Sequence, residues 1–393
     1  MLWSLTSPKD EQIRFIERWQ VGEMSFVRLC QQFGISTKTG YNRVDRFRTS
    51  GWEGLGDRSR MPHTHPNEVC REVAELLVAA KREHLTWGPR KLIPWLRGQQ
   101  PEVAWPAPST AGSILQRAGL VRRRRRSRRA APWSEPFAEA VMPNDVWCMD
   151  FKGWFRTTDG QRCDPLTVAD AASRYLLVCQ GLRHPRGPEV RRVLERAFRA
   201  YGLPRVIHTD NGPPFASAGL GGLSRLAVWW IKLGILPERS EPGHPEQNGR
   251  LERFHRTLKA ETASPPRATA RAQQRTFDTF RQQYNNERPH EALGHRTPAS
   301  SYSPSFRSYP SRMPELAYET GVTVRRVRTN GTIKWQGGLL YLSEALRGEP
   351  VGLVAQDERF WSIRLGPVQI GLLDVHARNV LHVPVQVLPM CPV

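Results

Sequence analysis

The sequence predicts a multidomain protein with three architectures in succession: all-α helix-turn-helix modules at the N-terminus, an α/β domain in the middle and a small all-β barrel at the C-terminus. Three observations carry this expectation. The chain has 393 residues, more than one domain of roughly 100 to 200 residues would use. Its charge is uneven, because the first 130 residues hold 24 Lys and Arg against 12 Asp and Glu within a formal net charge of +21. Its hydrophobic periodicity also changes along the chain, from helical, to alternating helix and strand, to short strands separated by turn residues.

The N-terminal third opens with SFVRLCQQFGISTKTGYNRVDRFR (25–48). Phe26, Leu29, Cys30 and Phe33 recur at helical spacing, Gly34 breaks the pattern, and Ser36 caps a second helix. On that helix Val44 and Phe47 face the core, whereas Lys38, Thr39, Asn42, Arg43 and Arg46 form the exposed face of a recognition helix able to reach bases or phosphates. An ordinary helical hairpin with a solvated basic face is the alternative. The boundaries expected are 1–62 for this module and 63–120 for a second, looser helix-turn-helix-like unit containing WGPRKLIPWLR and STAGSILQRAGLV. A linker, 121–139, follows. It carries Arg122, Arg123, Arg124, Arg125, Arg126, Arg128 and Arg129, a like-charge run that cannot fold alone and is expected to order on a phosphate backbone.

The middle domain is expected over 140–303. NDVWCMDFKGWF is strand-like, TTDGQ is a turn, LTVADAASRYLLVCQ supplies two further strands, and PEVRRVLERAFRAYG is a helix with Val190, Val193, Leu194, Ala197 and Phe198 on one stripe. The strand RVIHT follows, and AVWWIKLGIL reads as a core helix leading into a strand, since it is about half the length of a membrane span. A Ser/Pro-rich linker, 304–319, leads to the β-patterned region 320–393. There VTVRRVRT and TIKWQ, joined by Asn330-Gly331, predict a type I′ hairpin.

Composition narrows the partners. A sequence pI of about 10.5 points to a polyanion, nucleic acid first and an anionic membrane surface second. The N-terminus MLWSLTSPKD lacks the features of an export signal, so a cytoplasmic, nucleoid-associated location is expected. The six cysteines have no zinc-type spacing and read as small buried hydrophobes; His63 and His65 lack further ligands.

Phosphodiester chemistry by oxygen nucleophiles uses two hard cations, and hard cations take carboxylates. Asp150 lies in an otherwise apolar strand with Val146, Trp147, Met149 and Phe151, where an unpaired charge costs on the order of several kcal/mol. Asp210, in HTDNGPPF, ends the strand containing Val206 and Ile207, because Pro213 and Pro214 remove backbone donors. If the two strands pair, both acids share one end of a sheet. The third acid is expected at Glu252, in the first turn of the helix RLERFHRTLK, where the helix dipole favours a carboxylate. Glu246 reads as a loop group, and Glu241 and Glu261 as surface acids.

Asp150 in WCMDFKG, Asp210 in HTDNGPPF, Glu252 in GHPEQNGRLERFHRTLK and the following YNNERPHEALGHRTPASSY resemble the bacterial insertion-sequence DDE transposases that have a retroviral-integrase-type catalytic core. The resemblance covers essentially the whole chain. It implies an RNase H-like core with a mixed five-stranded sheet, a site in which Asp150, Asp210 and Glu252 hold two Mg²⁺ ions (Mn²⁺ as a substitute), and double-stranded DNA as substrate. It further implies binding of terminal inverted repeats, release of a 3′-hydroxyl by strand cleavage, and strand transfer into target DNA. Pairing two DNA ends calls for a homo-oligomer, at least a dimer. Arg253, Arg256 and Lys259 share the helix of Glu252 and are candidates to hold the DNA backbone; Asn211, Gln247 and Asn248 either position substrate or close turns. Two departures stand out: 41 residues separate Asp210 and Glu252, a long interval attributed to the Gly-rich SAGLGGLS (217–224), and the zinc-binding module of retroviral integrases is replaced by helix-turn-helix units. Two other functions fit parts of the same sequence, a non-catalytic DNA-binding regulator and an RNase H-like nuclease that cuts without joining.

Overall fold

The computed structural model describes residues 8–56, 69–121, 140–240 and 249–382, and its contacts divide the chain into two units, 1–68 and 69–393. In the first unit α1 (Pro8–Val21), α2 (Phe26–Gln32) and α3 (Thr37–Ser50) surround Phe15, Ile16, Leu29, Cys30 and Val44. The Ser36 hydroxyl accepts the Thr39 backbone N–H at 3.1 Å and so caps α3, an arrangement worth about 1 kcal/mol. Val44 is buried and Phe47 half-buried against Trp52, so α3 turns its predicted apolar side inward.

The second unit begins with three helices, α4 (Arg71–Glu83), α5 (Pro89–Gln99) and α6 (Pro108–Arg117), packed around Leu77, Trp87, Leu92, Leu96 and Leu115. Pro89 and Pro108 each open a helix, where a missing N–H costs nothing.

The central domain contains β1 (Val146–Phe151), β2 (Phe155–Arg156), β3 (Arg162–Asp170), β4 (Leu176–Leu182), α7 (Gly187–Tyr201), β5 (Val206–Thr209), α8 (Arg225–Lys232), β6 (Leu236–Arg239), α9 (Gly249–Thr262) and α10 (Ala270–Asn286). Strands β4, β3 and β1 are antiparallel neighbours, β1, β5 and β6 are parallel neighbours, and β2 pairs with the first two residues of β3. This mixed sheet of five main strands with helices on both faces is the RNase H-like arrangement. Strand alternation sorts its side chains. Trp147 and Met149 of β1 join Ile207 and the α7–α8 side, with Val190, Val193, Leu194, Ala197 and Phe198 buried as the helical stripe predicts. Val146 and Cys148 join Val206 and Leu251 of α9 on the other face.

At the C-terminus β7 (Thr323–Arg326), β10 (Pro350–Ala355), β11 (Phe360–Leu365), β12 (Val368–Asp374) and β13 (Asn379–His382) form an antiparallel sheet in the order β13-β12-β11-β10-β7. The hairpin of β8 (Thr332–Trp335) and β9 (Gly338–Tyr341) lies with β8 beside β7 and β9 beside β13. The predicted Asn330-Gly331 hairpin is corrected here: β7 pairs with β10, and β8 pairs with β9. The turn with positive φ at both central residues is Gln336-Gly337 (φ 43° and 81°), and two such residues are what a type I′ turn demands.

This sheet shares one hydrophobic core with the central domain. Leu220, in the Gly-rich stretch 217–224, is fully buried there, and Gly371 of β12 lets it approach, since a Cβ at 371 would stand 2.6 Å from Leu220 Cδ1. Lys232 pairs with Glu349 at 2.9 Å. The segment after α10 runs along the central domain: Ser305 N–H donates to Tyr201 O, and the Arg307 guanidinium donates to the carbonyls of Pro204, Leu233 and Gly234 at 2.7–3.0 Å. Among the described residues no helix is long and apolar enough to cross a membrane.

Candidate active site

Asp150 and Asp210 stand at the same level on neighbouring strands. β1 and β5 pair in parallel with Cys148 opposite His208, so each acid lies two residues beyond that pair. Alternation puts Asp150 on the face of Val146 and Cys148, and Asp210 on the face of Val206 and His208, which is the face α9 covers. Leu251 and Leu258 anchor α9 to this face, and Glu252, in its first turn, is left exposed beside the acids. Burial first, then the Asp210 carboxylate and, more weakly, Glu252 push the Asp150 carboxyl up to about 7, against a hydrogen bond from the Phe151 backbone.

Two further groups adjoin Asp150. Thr167, opposite it on β3, donates its hydroxyl to Asp150 O at 3.1 Å and meets His255 Nε2 at 2.9 Å, while His255 Nδ1 lies 3.7 Å from Asp150 Oδ2. Burial and then Lys152 hold His255 down near 4, so the imidazole is neutral. Lys152, two residues past Asp150, is itself lowered by burial and by Lys259 of α9. Sequence reading missed Thr167, Lys152 and His255. The register of β3 against β1 and the one-turn offset of His255 from Leu251 were the available signals, and both needed the strand pairing.

Oxygen donors, a protonation equilibrium raised by burial and then by neighbouring negative charge, and an adjoining neutral imidazole make this a set of residues that fits hard cations. Among the described residues no three His, Cys, Asp or Glu side chains are drawn into a ready-made metal cage.

The turn after β5 is held by its own polar groups. Asn211 Nδ2 donates to Ser240 O at 2.7 Å, tying the end of β5 to the end of β6, and Gly212 N–H donates to Asp210 Oδ1 at 3.2 Å. A Cβ at 212 would stand 3.1 Å from the Asp210 carboxylate, so glycine there permits a close approach.

Of the residues expected to face DNA, Lys38 and Asn42 are exposed and Arg43 and Arg46 half-buried on α3. The Thr39 hydroxyl lies 2.8 Å from that of Ser36 in the helix cap. Arg253, Arg256 and Lys259 are exposed on α9. Arg122 to Arg129, and with them Glu241, Glu246, Gln247 and Asn248, lie outside the described residues.

Two expectations are corrected. Cys70, just before α4, is exposed, whereas Cys30, Cys148, Cys163 and Cys179 are buried thiols. Glu261, expected as a surface acid, is half-buried and paired: it accepts from Arg288 Nη1 at 2.8 Å and from the Thr86 hydroxyl. Arg288, buried, also lies 5.8 Å from the rings of Trp87 and Tyr284, and Arg90 meets Glu291 at 3.7 Å. Glu261 and the YNNERPHEAL segment thus meet the turn between α4 and α5 and the start of α5.

Two integrase core domain models match the chain, over residues 140–245 and 233–298. A model of the leucine-zipper of insertion element IS481 matches residues 15–83, within which the described residues form α1 to α4. The sequence is 30% identical over 248 residues to the insertion element IS476 uncharacterized 39.2 kDa protein of Xanthomonas euvesicatoria, a match covering 62% of this chain and 68% of the relative. The chain belongs to the integrase-core family of insertion-element proteins. This insertion-element protein is also 32% identical over 191 residues to the insertion element IS407 uncharacterized 31.7 kDa protein of Burkholderia multivorans, covering 47% of the chain and 65% of the relative. The matched stretches therefore span about two thirds of these relatives. A solved structure of the HTLV-2 integrase catalytic core domain in complex with magnesium, in its dimeric form, is 16% identical; it covers 41% of this chain and 98% of that one, at a TM-score of 0.33. The fold of the insertion-element protein is read from its own strand order. Membership of this family implies polynucleotidyl transfer.

Proposed function

We propose that this protein is a DNA transposase that binds the terminal inverted repeats of its element, cleaves there to free a 3′-hydroxyl, and transfers that strand into target DNA. The observation that carries the reading is the pairing of β1 with β5, with Asp150 and Asp210 at one level beneath the first turn of α9. Asp150, Asp210 and Glu252 would hold two Mg²⁺, or Mn²⁺, ions; such ions activate the attacking oxygen and stabilise the leaving one. Thr167 fixes the backbone at Asp150, His255 is bonded to Thr167 beside it, and the neutral His255 adds no competing positive charge. Lys152, Arg256 and Lys259 offer cations to the phosphates on either side of the scissile bond, and Lys38, Asn42, Arg43 and Arg46 offer a DNA-facing helix. The Arg122–Arg129 run supplies sequence-independent phosphate affinity. In this reading the C-terminal sheet and hairpin form a small barrel, and the active species on DNA is at least a dimer.

The test is strand cleavage and joining of element-end DNA with Mg²⁺. Asp150→Asn is expected to lower both by a factor of about 1,000 or more, the scale on which loss of a key charge-stabilising group acts, with DNA binding retained. Undiminished joining by this variant would remove Asp150 from the mechanism; nicked products without joints in the parent protein would make it a nuclease.

A further inference from the structure

Trp154 is 56% exposed, in the loop between β1 and β2, four residues beyond Asp150. The groups around it are cationic. The guanidinium carbon of Arg162 lies over the indole ring, 5.1 Å from its centroid, and that of Arg156 lies over it at 5.8 Å, so a base joins an indole that already stacks with cations. Both arginines are held by further bonds: Arg156 donates to Gly160 O at 2.7 Å, and Arg162 donates to Asp164 at 2.7 and 3.1 Å. Lys152 stands 5.9 Å from the next ring, Phe155. A large ring left in water but braced by charge is a poor seat for an apolar partner, because each neighbouring cation would have to be desolvated. It is a good seat for a nucleotide, whose base offers a π-face to the indole and whose phosphate offers charge to the cations. A base inside a duplex has both faces covered by its neighbours, and one in a terminal pair is held in the plane of that pair, so the base free to lie on the indole with its phosphate at the cations is an unpaired one.

We infer that Trp154, braced by Arg156 and Arg162, is a stacking platform for an unpaired base at the DNA end whose phosphate lies at the neighbouring acids. This rests on the transposase reading for the identity of the DNA, but its test does not depend on turnover.

The full chain is titrated, in EDTA, with a blunt duplex and with the same duplex carrying a short single-stranded overhang that contains a fluorescent purine analogue. The parent protein is expected to quench the analogue and to prefer the overhang duplex. Trp154→Ala should lose the quenching and weaken binding of the overhang duplex by about fivefold or more, with blunt-duplex affinity unchanged; Trp154→Phe should keep most of both. No quenching by the parent protein, or equal weakening of both duplexes by Trp154→Ala, would overturn the platform. Quenching of the analogue at an internal mismatch but not in the overhang would also overturn it, since the contact would then be to distorted target DNA. Quenching by a parent protein that neither cleaves nor joins would sink the transposase reading and leave the platform standing; Asp150→Asn, which retains the platform, should still quench.

Discussion

Asp150 shows how a single residue carries the cost of the site. Its carboxyl is driven up by burial and by Asp210 and Glu252, so the folded, metal-free chain binds a proton more tightly than the unfolded chain does. The sign follows from linkage: this contribution to stability is fully present below the ordinary value of 3.8 and is lost as pH rises through about 7. In EDTA, the melting temperature of Asp150→Asn should therefore exceed that of the parent protein by a margin that grows from pH 3.8 to about 7 and then levels off. Excess Mg²⁺ should shrink the margin, because cations replace the proton as counter-charge. A margin constant with pH would mean that Asp150 titrates normally. Asn211, next to the second acid, is explained at the same scale: its amide is spent on Ser240 O, which fixes the turn that presents Asp210.

Among the elements, the Gly-rich stretch 217–224 changes most in meaning. It lies within the interval between Asp210 and Glu252, and the structure gives it a packing role, with Leu220 buried against β12 in the core shared by two domains. Leu220→Ala should cost about 2–5 kcal/mol in denaturant unfolding; a shift in midpoint below the equivalent of about 0.5 kcal/mol would show that the joint core does not depend on it. The helix α7 was legible in the sequence because its stripe is periodic and its partners are generic. The β8–β9 hairpin was not, because Asn330-Gly331 is a strong local turn signal, whereas β7 finds its partner in β10, a non-local pairing no local signal encodes.

For the molecule as a whole, the YNNERPHEAL segment couples the second helical unit to the central domain. Arg288 pairs with Glu261 and lies beside the rings of Trp87 and Tyr284, so Arg288→Ala strands a largely buried carboxylate. A loss of about 3–5 kcal/mol is expected on chemical denaturation, with part recovered by adding Glu261→Gln; no recovery would place the loss in packing and not in charge. The sequence by itself determined the order of architectures, the basic N-terminal third, and Asp150, Asp210 and Glu252 as candidates, because periodicity, charge and an acid in an apolar strand are local properties. Only the tertiary structure decided which residues those acids meet, that the Glu261–Arg288 pair of the central domain meets Thr86 and Trp87 of the second helical unit, and that the C-terminal sheet shares the central core. Each of these depends on contacts between segments distant in the chain, where strand register and packing choose the neighbours.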